Sequence, residues 1–165
     1  ALGLGYPGGP LIEREARKGD PEAVDFPRTY LEAGSLDFSF SGLKTAVLNH
    51  LNQCRQTGRP VNTADIAASF QSAVVEVLVN KTMAAAKKCG TGVVALAGGV
   101  ASNGRLRMEF ENRCADEGLQ LRYPSRVLCT DNAAMIGTAG YYRLCKGLAS
   151  PMTLNAVASM EIDSY

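Results

Sequence analysis

Eight consecutive residues, Leu96-Ala97-Gly98-Gly99-Val100-Ala101-Ser102-Asn103, constrain the fold of this chain more than any others. Apolar Val93 to Ala97 predict a buried strand, and the run from Asn103 onward predicts a helix. The glycine pair between them removes two β-carbons where a ligand can lie against bare backbone. A strand, a glycine turn and a helix in sequence belong to an α/β layer, and the start of such a helix suits an anionic or nucleotide group. Glycine turns of this kind also arise for purely structural reasons, so the octet alone leaves a ligand role open.

The rest of the chain supports a layered α/β reading. Pro10 fits the first position of a helix running to about Lys18, with Gly19 as its stop. Asp20 to Leu36 holds Pro21, Pro27 and Gly34 and reads as a surface excursion. Leu36, Phe38 and Phe40 alternate with polar Asp37 and Ser39, which predicts a brief half-buried strand. A helix opens at Ser41 or Gly42 and runs to about Arg55. Thr63 is the expected cap of the longest helix, about Ala64 to Lys88, with Ile66, Phe70, Val74, Val77 and Leu78 as its apolar stripe and Gln71 and Glu76 off it. Gly90 and Gly92 end that helix before the Val93–Ala97 strand. A helix from Gly104 to about Glu117 follows, stopped by Gly118. Leu119, Leu121 and Tyr123 alternate as a second strand ended by Pro124, and a last helix spans about Asp131 to Cys145. Alternating helices and strands call for some parallel pairing, and so few strands leave sheet edges exposed.

Composition narrows the function classes. Hydrophobic residues at 46% and charged residues at 20% describe a globular chain of 165 residues able to bury one core. Lys and Arg number 17 against 16 Asp and Glu, so any nucleic-acid contact requires a local patch. Lys44, Arg105 and Arg107 are candidates to face RNA phosphates, against the alternative of solvated helix charges. Five scattered cysteines with no Cys-x-x-Cys pair, and one histidine, argue against a disulfide framework or a structural zinc site, and fit a reducing, cytoplasmic setting. No apolar run approaches the roughly 20 residues that span a bilayer, so no membrane partner is expected.

Three segments carry candidate chemistry. In Leu4-Gly5-Tyr6-Pro7-Gly8-Gly9-Pro10, Gly8 and Gly9 free the backbone to approach a ligand, and Glu13 in the first turn of the helix can accept from a ribose hydroxyl or simply favour the helix dipole. Asn103 in the octet either reads a base or sugar edge or caps the following helix. In Cys129-Thr130-Asp131-Asn132-Ala133-Ala134-Met135-Ile136-Gly137, Asp131 either caps a helix or ligates a metal through oxygen.

Taken in order with Phe38-Ser39-Phe40-Ser41-Gly42-Leu43-Lys44-Thr45, these segments resemble the C-terminal half of the TsaD family, once described as Gcp or O-sialoglycoprotein endopeptidase, over Leu2 to about Leu148. The resemblance implies one lobe of an actin-like ATPase fold (ASKHA, ribonuclease H-like) with inserted helices, residues 1–150 forming the lobe and 151–165 a tail. It implies transfer of a threonylcarbamoyl group from threonylcarbamoyl-AMP to the tRNA adenosine 3′ of the anticodon. Gly8, Gly9, Glu13, Gly98, Gly99 and Asn103 match positions lining the adenine nucleotide or threonylcarbamoyl-AMP, and Asp131 matches a ligand of one divalent metal, iron or zinc. Implied partners are tRNA, TsaB-like and TsaE-like proteins, and a TsaC-like synthase that supplies the adenylate.

No residue stands out as a nucleophile, which fits direct transfer. The family's His-x-x-x-His metal pair and its Ser-Gly-Gly-His-Thr turn do not occur in this chain. His50 matches no metal motif and reads as a surface or half-buried residue. A single carboxylate cannot hold a catalytic metal, which needs about three protein ligands. The chain opens on Ala1 inside what reads as an ongoing motif, so a fragment, inactive by itself, is expected, with an acidic Gly-Glu-Ala-Phe-Asp-like segment ahead of it. Competing readings are a non-catalytic TsaB-like scaffold, disfavoured by the presence of Asn103 and Asp131, and the old metal-dependent glycoprotease, for which no His-Glu-x-x-His or Ser/His/Asp set exists. A sugar kinase or chaperone ATPase of the same superfamily fits the Thr130-Asp131-Asn132 block poorly.

Overall fold

The computed structural model describes residues 1–32 and 34–161; the last part of the expected 151–165 tail, 162–165, lies outside them. Two compact units are present, Ala1–Thr130 and Asp131–Tyr165. The first is organised around one long helix, α3 (Thr63–Cys89), against which pack α1 (Gly8–Ala16), α2 (Ser41–Thr57), α4 (Gly104–Asp116) and strand β1 (Val93–Ala95). Strand β2 (Gln120–Arg122) pairs with β1 in parallel, Val94 facing Leu121 in the register. The β1–α4–β2 run is thus a parallel pair with a crossover helix, as the alternation of elements requires.

Contacts on several sides explain why α3 does not bury a single stripe. Ala67, Ala68, Ser69, Ala73, Val75, Val77, Val79, Met83 and Ala86 are buried alongside Ile66, whereas Phe70, Val74 and Leu78 of the expected stripe are only partly covered. One apolar cluster joins Val75, Val79 and Met83 to Val94, Leu106, Phe110 and Cys114. A second joins Ile66 and Ala73 to Phe26, Leu43, Val47 and Leu51. Each fully buried Val, Leu or Phe contributes about 1.5–3 kcal/mol. Gly19 lets the end of α1 meet α3: a β-carbon there would lie 2.1 Å from the Ala64 carbonyl oxygen.

Several boundaries differ from expectation, each for a local reason. Helix α1 starts at Gly8, so Gly8 and Gly9 form its first turn rather than a loop ahead of it, and Glu13 falls in the second turn. The cap of α3 is Asn62, whose carboxamide accepts from Ala64 N and Asp65 N, leaving Thr63 inside the helix. Residues 36–40 make no strand; the Phe38 and Phe40 rings stack with centres 6.4 Å apart, and Phe40 at φ -114°, ψ 6° has already left the extended region as it leads into α2. Strand β1 stops at Ala95 and β2 covers only Gln120–Arg122. One-turn 3-10 helices at Gly99–Ser102 and Arg126–Leu128 were not foreseen.

In the second unit, α5 (Ala133–Cys145) is the only helix among the described residues. Its cap is Asn132, whose carboxamide accepts from Met135 N at 3.0 Å, so Asp131 is not the cap and lies outside the helix. Among the described residues no helix is long and apolar enough to cross a membrane.

Candidate functional site

The octet's turn is built by its glycines. Gly98 sits at φ 80°, ψ 170°, a region essentially closed to residues with a β-carbon. That twist turns the chain out of the strand direction into the Gly99–Ser102 turn, which delivers Asn103 to the start of α4. The Asn103 side chain is then spoken for on both sides: Oδ1 accepts from Leu106 N at 2.9 Å, and Nδ2 donates to Gln71 Oε1 on α3 at 2.8 Å. Capping is therefore a role that Asn103 performs here, and Gln71, polar on an apolar helix, is the partner that the sequence reading passed over.

Glu13 meets the same helix start. Its Oε1 accepts from Gly104 N at 3.1 Å and from Arg17 Nη2 at 2.8 Å, with the side chain mostly covered. A carboxylate at a helix N-terminus is favoured by the dipole, by about 0.3–1 kcal/mol at the surface and up to about 2 when partly buried. Glycine at 104 permits the approach, since a β-carbon there would lie 3.1 Å from both Glu13 Oε1 and Arg126 Nη2. Gly104 was not singled out, although a glycine directly after a capping Asn was the available signal.

Of the expected residues, Gly9 and Asn103 line one cavity of about 120 Å³, walled by Phe70, Val74, Val100 and Leu106. Whole small-molecule sites run to roughly 300–1,000 Å³, so this space holds one ring or a similar fragment of a ligand. Gly8 instead faces a larger apolar cavity of about 410 Å³ with Leu2, Ile12, Lys44, Ile66 and Phe70. Gly98 and Gly99 line neither; they shape the turn. Asp131 belongs to the second unit, where it is exposed.

Among the described residues no three His, Cys, Asp or Glu side chains gather as metal ligands. The described residues therefore do not fit a metal site by themselves, and Asp131 offers one exposed carboxylate. His50 is half-buried, 3.6 Å from Cys54 Sγ on the same helix and edge-on to Phe26. Cys54, Cys114 and Cys129 are buried, whereas Cys89 and Cys145 are exposed. Burial pushes the Cys114 thiol above its ordinary value, helped by the Glu117 charge.

The three candidate RNA-facing cations separate. Lys44 is exposed on the rim of the larger cavity, and exposed Arg105 lies 3.7 Å from Glu109. Arg107 is half-buried and turned toward internal partners. Its guanidinium donates to the Ala101 and Pro124 carbonyls, approaches Cys129 Sγ and covers the Tyr123 ring. Lys81 escaped the sequence reading altogether: it is buried on α3, donates to the Asp37 carbonyl and lies 5.9 Å from the Phe38 ring centre. It ties the strandless 36–40 segment to α3.

Comparison with known proteins adds an independent line. Residues 1–138 match the family model for TsaD, tRNA N6-adenosine threonylcarbamoyltransferase. A Moorella thermoacetica protein is 53% identical over 162 residues, covering 98% of this chain and 47% of the relative. A Clostridioides difficile protein is 51% identical over 163 residues (99% and 48%), and one from Desulfitobacterium hafniense 52% over 161 (98% and 47%). All three bear the name tRNA N6-adenosine threonylcarbamoyltransferase. The chain spans about half the length of these curated relatives and matches their C-terminal half.

Proposed function

Because this chain belongs to the TsaD family, we propose that it supplies the adenine-nucleotide side of a tRNA N6-adenosine threonylcarbamoyltransferase. The reaction is an acyl-type transfer: the adenosine N6 amine attacks the carbamoyl carbon of threonylcarbamoyl-AMP, a C–N bond forms, the bond to the phosphate oxygen breaks, and AMP leaves with the amine losing a proton. Positioning of the two reactants can supply about 7–11 kcal/mol of the barrier in such direct transfers. The observation that carries this reading is the cavity shared by Gly9 and Asn103, two motif residues distant in sequence that meet in a space of about 120 Å³.

In this reading the apolar walls from Phe70, Val74 and Leu106 take a flat base, and bare backbone at Gly9 lets it approach. Glu13 holds the start of α4 beside Asn103 through Oε1, so any ribose contact falls to its other oxygen. Gly8, Gly98 and Gly99 would shape the backbone around the nucleotide. Asp131 would give one carboxylate to a divalent metal, iron or zinc, completed by ligands from another segment. We further read the chain as one lobe of an actin-like ATPase (ASKHA) fold, working in the cytoplasm on tRNA with TsaB-like and TsaE-like partners and a TsaC-like source of the adenylate.

The test is a chimera in which this chain replaces the matching half of the Moorella thermoacetica relative. Incubated with threonylcarbamoyl-AMP, TsaB-like and TsaE-like proteins and unmodified tRNA, it should yield threonylcarbamoyladenosine on nucleoside mass spectrometry. A folded chimera that leaves the tRNA unmodified, beside an active parent relative, sinks the proposal.

A further inference from the structure

We propose that Arg107 is a positioning residue that locks the Gly98–Ser102 turn to the 124–130 segment, which runs directly into Asp131. The proposal rests on the functional reading above and deepens it by assigning a role to a side chain that touches no ligand. Arg107 leaves the first turn of α4 and leans toward the helix start, as helical side chains do. There its Nε donates to the Ala101 carbonyl in the first segment. Its Nη2 donates to the Pro124 carbonyl at 2.9 Å and lies 3.1 Å from Cys129 Sγ, both in the second. The Tyr123 ring, 4.4 Å from the guanidinium carbon, holds the plane in place. Tyr123 is itself tethered by donating its hydroxyl hydrogen to Glu111 Oε1 on α4.

Chemistry explains why arginine stands there. A planar fork with five N–H donors can serve two carbonyls in different directions at once, while its face stacks on an aromatic ring. Lysine has a single ammonium at the end of a flexible stem and cannot serve all of these partners together. The 124–130 segment has no strand ladder and only a single 3-10 turn of its own. Ser102 Oγ also donates to the Arg126 carbonyl, in a long bond of 3.4 Å. The Arg107 guanidinium alone reaches carbonyls in both segments at once.

Hydrogen exchange on this chain tests the lock directly. In Arg107→Ala the amides of Leu128 and Cys129 should exchange at least tenfold faster than in the parent, and Arg107→Lys should fall between. Arg113→Ala is the control: it removes the bonds to Asn80 and Glu117 from the same helix, yet should leave those amides unchanged. In the chimera described above, Arg107→Ala should also lower threonylcarbamoyl-AMP affinity at least tenfold at a temperature where circular dichroism shows an intact fold. Unchanged exchange in Arg107→Ala, or equal acceleration in Arg113→Ala, overturns the proposal. Should Arg107→Ala not fold, Arg107→Lys decides by the same readout. A parent chimera without activity would refute the functional reading and leave the exchange result standing.

Discussion

Replacing Asn103 by alanine separates the structural work of this residue from its proposed ligand role. The side chain makes two bonds, Oδ1 from Leu106 N at 2.9 Å and Nδ2 to Gln71 Oε1 at 2.8 Å. Loss of the helix cap costs about 1 kcal/mol. Leaving Gln71 Oε1 without its partner in a part-buried position adds about 1 kcal/mol more. Unfolding entropy near 2.1 cal/mol/K per residue then converts a loss of about 2 kcal/mol into a Tm drop of about 6 °C. Thermal melts followed by circular dichroism at 222 nm read this directly. Asn103→Ser keeps an oxygen for the cap and should lose about half as much. Asn103→Asp keeps the cap, and the Gln71 amide can turn to donate to the new carboxylate, so its Tm should stay within about 2 °C of the parent. In the chimera the same aspartate should still weaken nucleotide binding, because the amide donor is gone. An Asn103→Ala melt within 1 °C of the parent, on the scale of about 0.3 kcal/mol, would refute the reasoning. So would an Asn103→Asp protein as unstable as the alanine variant.

Three further outcomes follow from local geometry. Asn132→Ala should cost about 1 kcal/mol in urea unfolding as the cap of α5 is lost, while exposed Asp131→Ala should stay within about 0.5 kcal/mol of the parent. Gly98→Ala should lose about 1–3 kcal/mol by the same measurement, because alanine must enter the backbone region at φ 80°, ψ 170°. Stability should fall as the pH rises above 9. The Cys114 thiol is raised by burial and then by the Glu117 charge, and the Tyr123 hydroxyl chiefly by its bond to Glu111. The unfolded chain releases both protons first, so the stabilisation is complete below the ordinary values of 9.0 and 10.0 and is lost as pH climbs toward the raised ones. Urea midpoints at pH 8 and 10.5 check the sign, and Cys114→Ala should flatten the dependence.

The helices of this protein were legible because apolar spacing and glycine stops agree. Gly58, Gly90 and Gly118 all take positive φ just beyond helix ends, as their positions in the sequence imply. Caps were less legible where two good candidates adjoin. Asn62 stands beside Thr63 and Asn132 beside Asp131, and preferences that differ by tenths of a kcal/mol do not decide between neighbours. Alternation at 36–40 did not translate into a half-buried strand: Phe38 is exposed and stacks on Phe40, and alternation cannot say whether a partner strand exists. Inward-turned cations were invisible for a related reason: the partners of Arg107 and Lys81 are backbone carbonyls from other segments, and any residue can provide one. Within the candidate site, motif order brought Gly9 and Asn103 to one cavity, whereas the structural uses of Gly104 and Gln71 emerge only when α1, α3 and α4 are seen together.

The length of α3 has a mechanical consequence. At 1.5 Å rise per residue its 27 residues make a rod about 40 Å long, and the two larger apolar clusters of the first unit hang from successive stretches of it. Ile66 and Ala73 anchor one, while Val75, Val79, Met83 and Ala86 anchor the other. They meet in one turn of α3, where Val74 packs on the first and Val75 belongs to the second, so unwinding that turn disturbs both. Residues 1–130 should therefore melt in one step, like beads on a shared axle, and a kink introduced midway at Ala73 should cut that single transition into two.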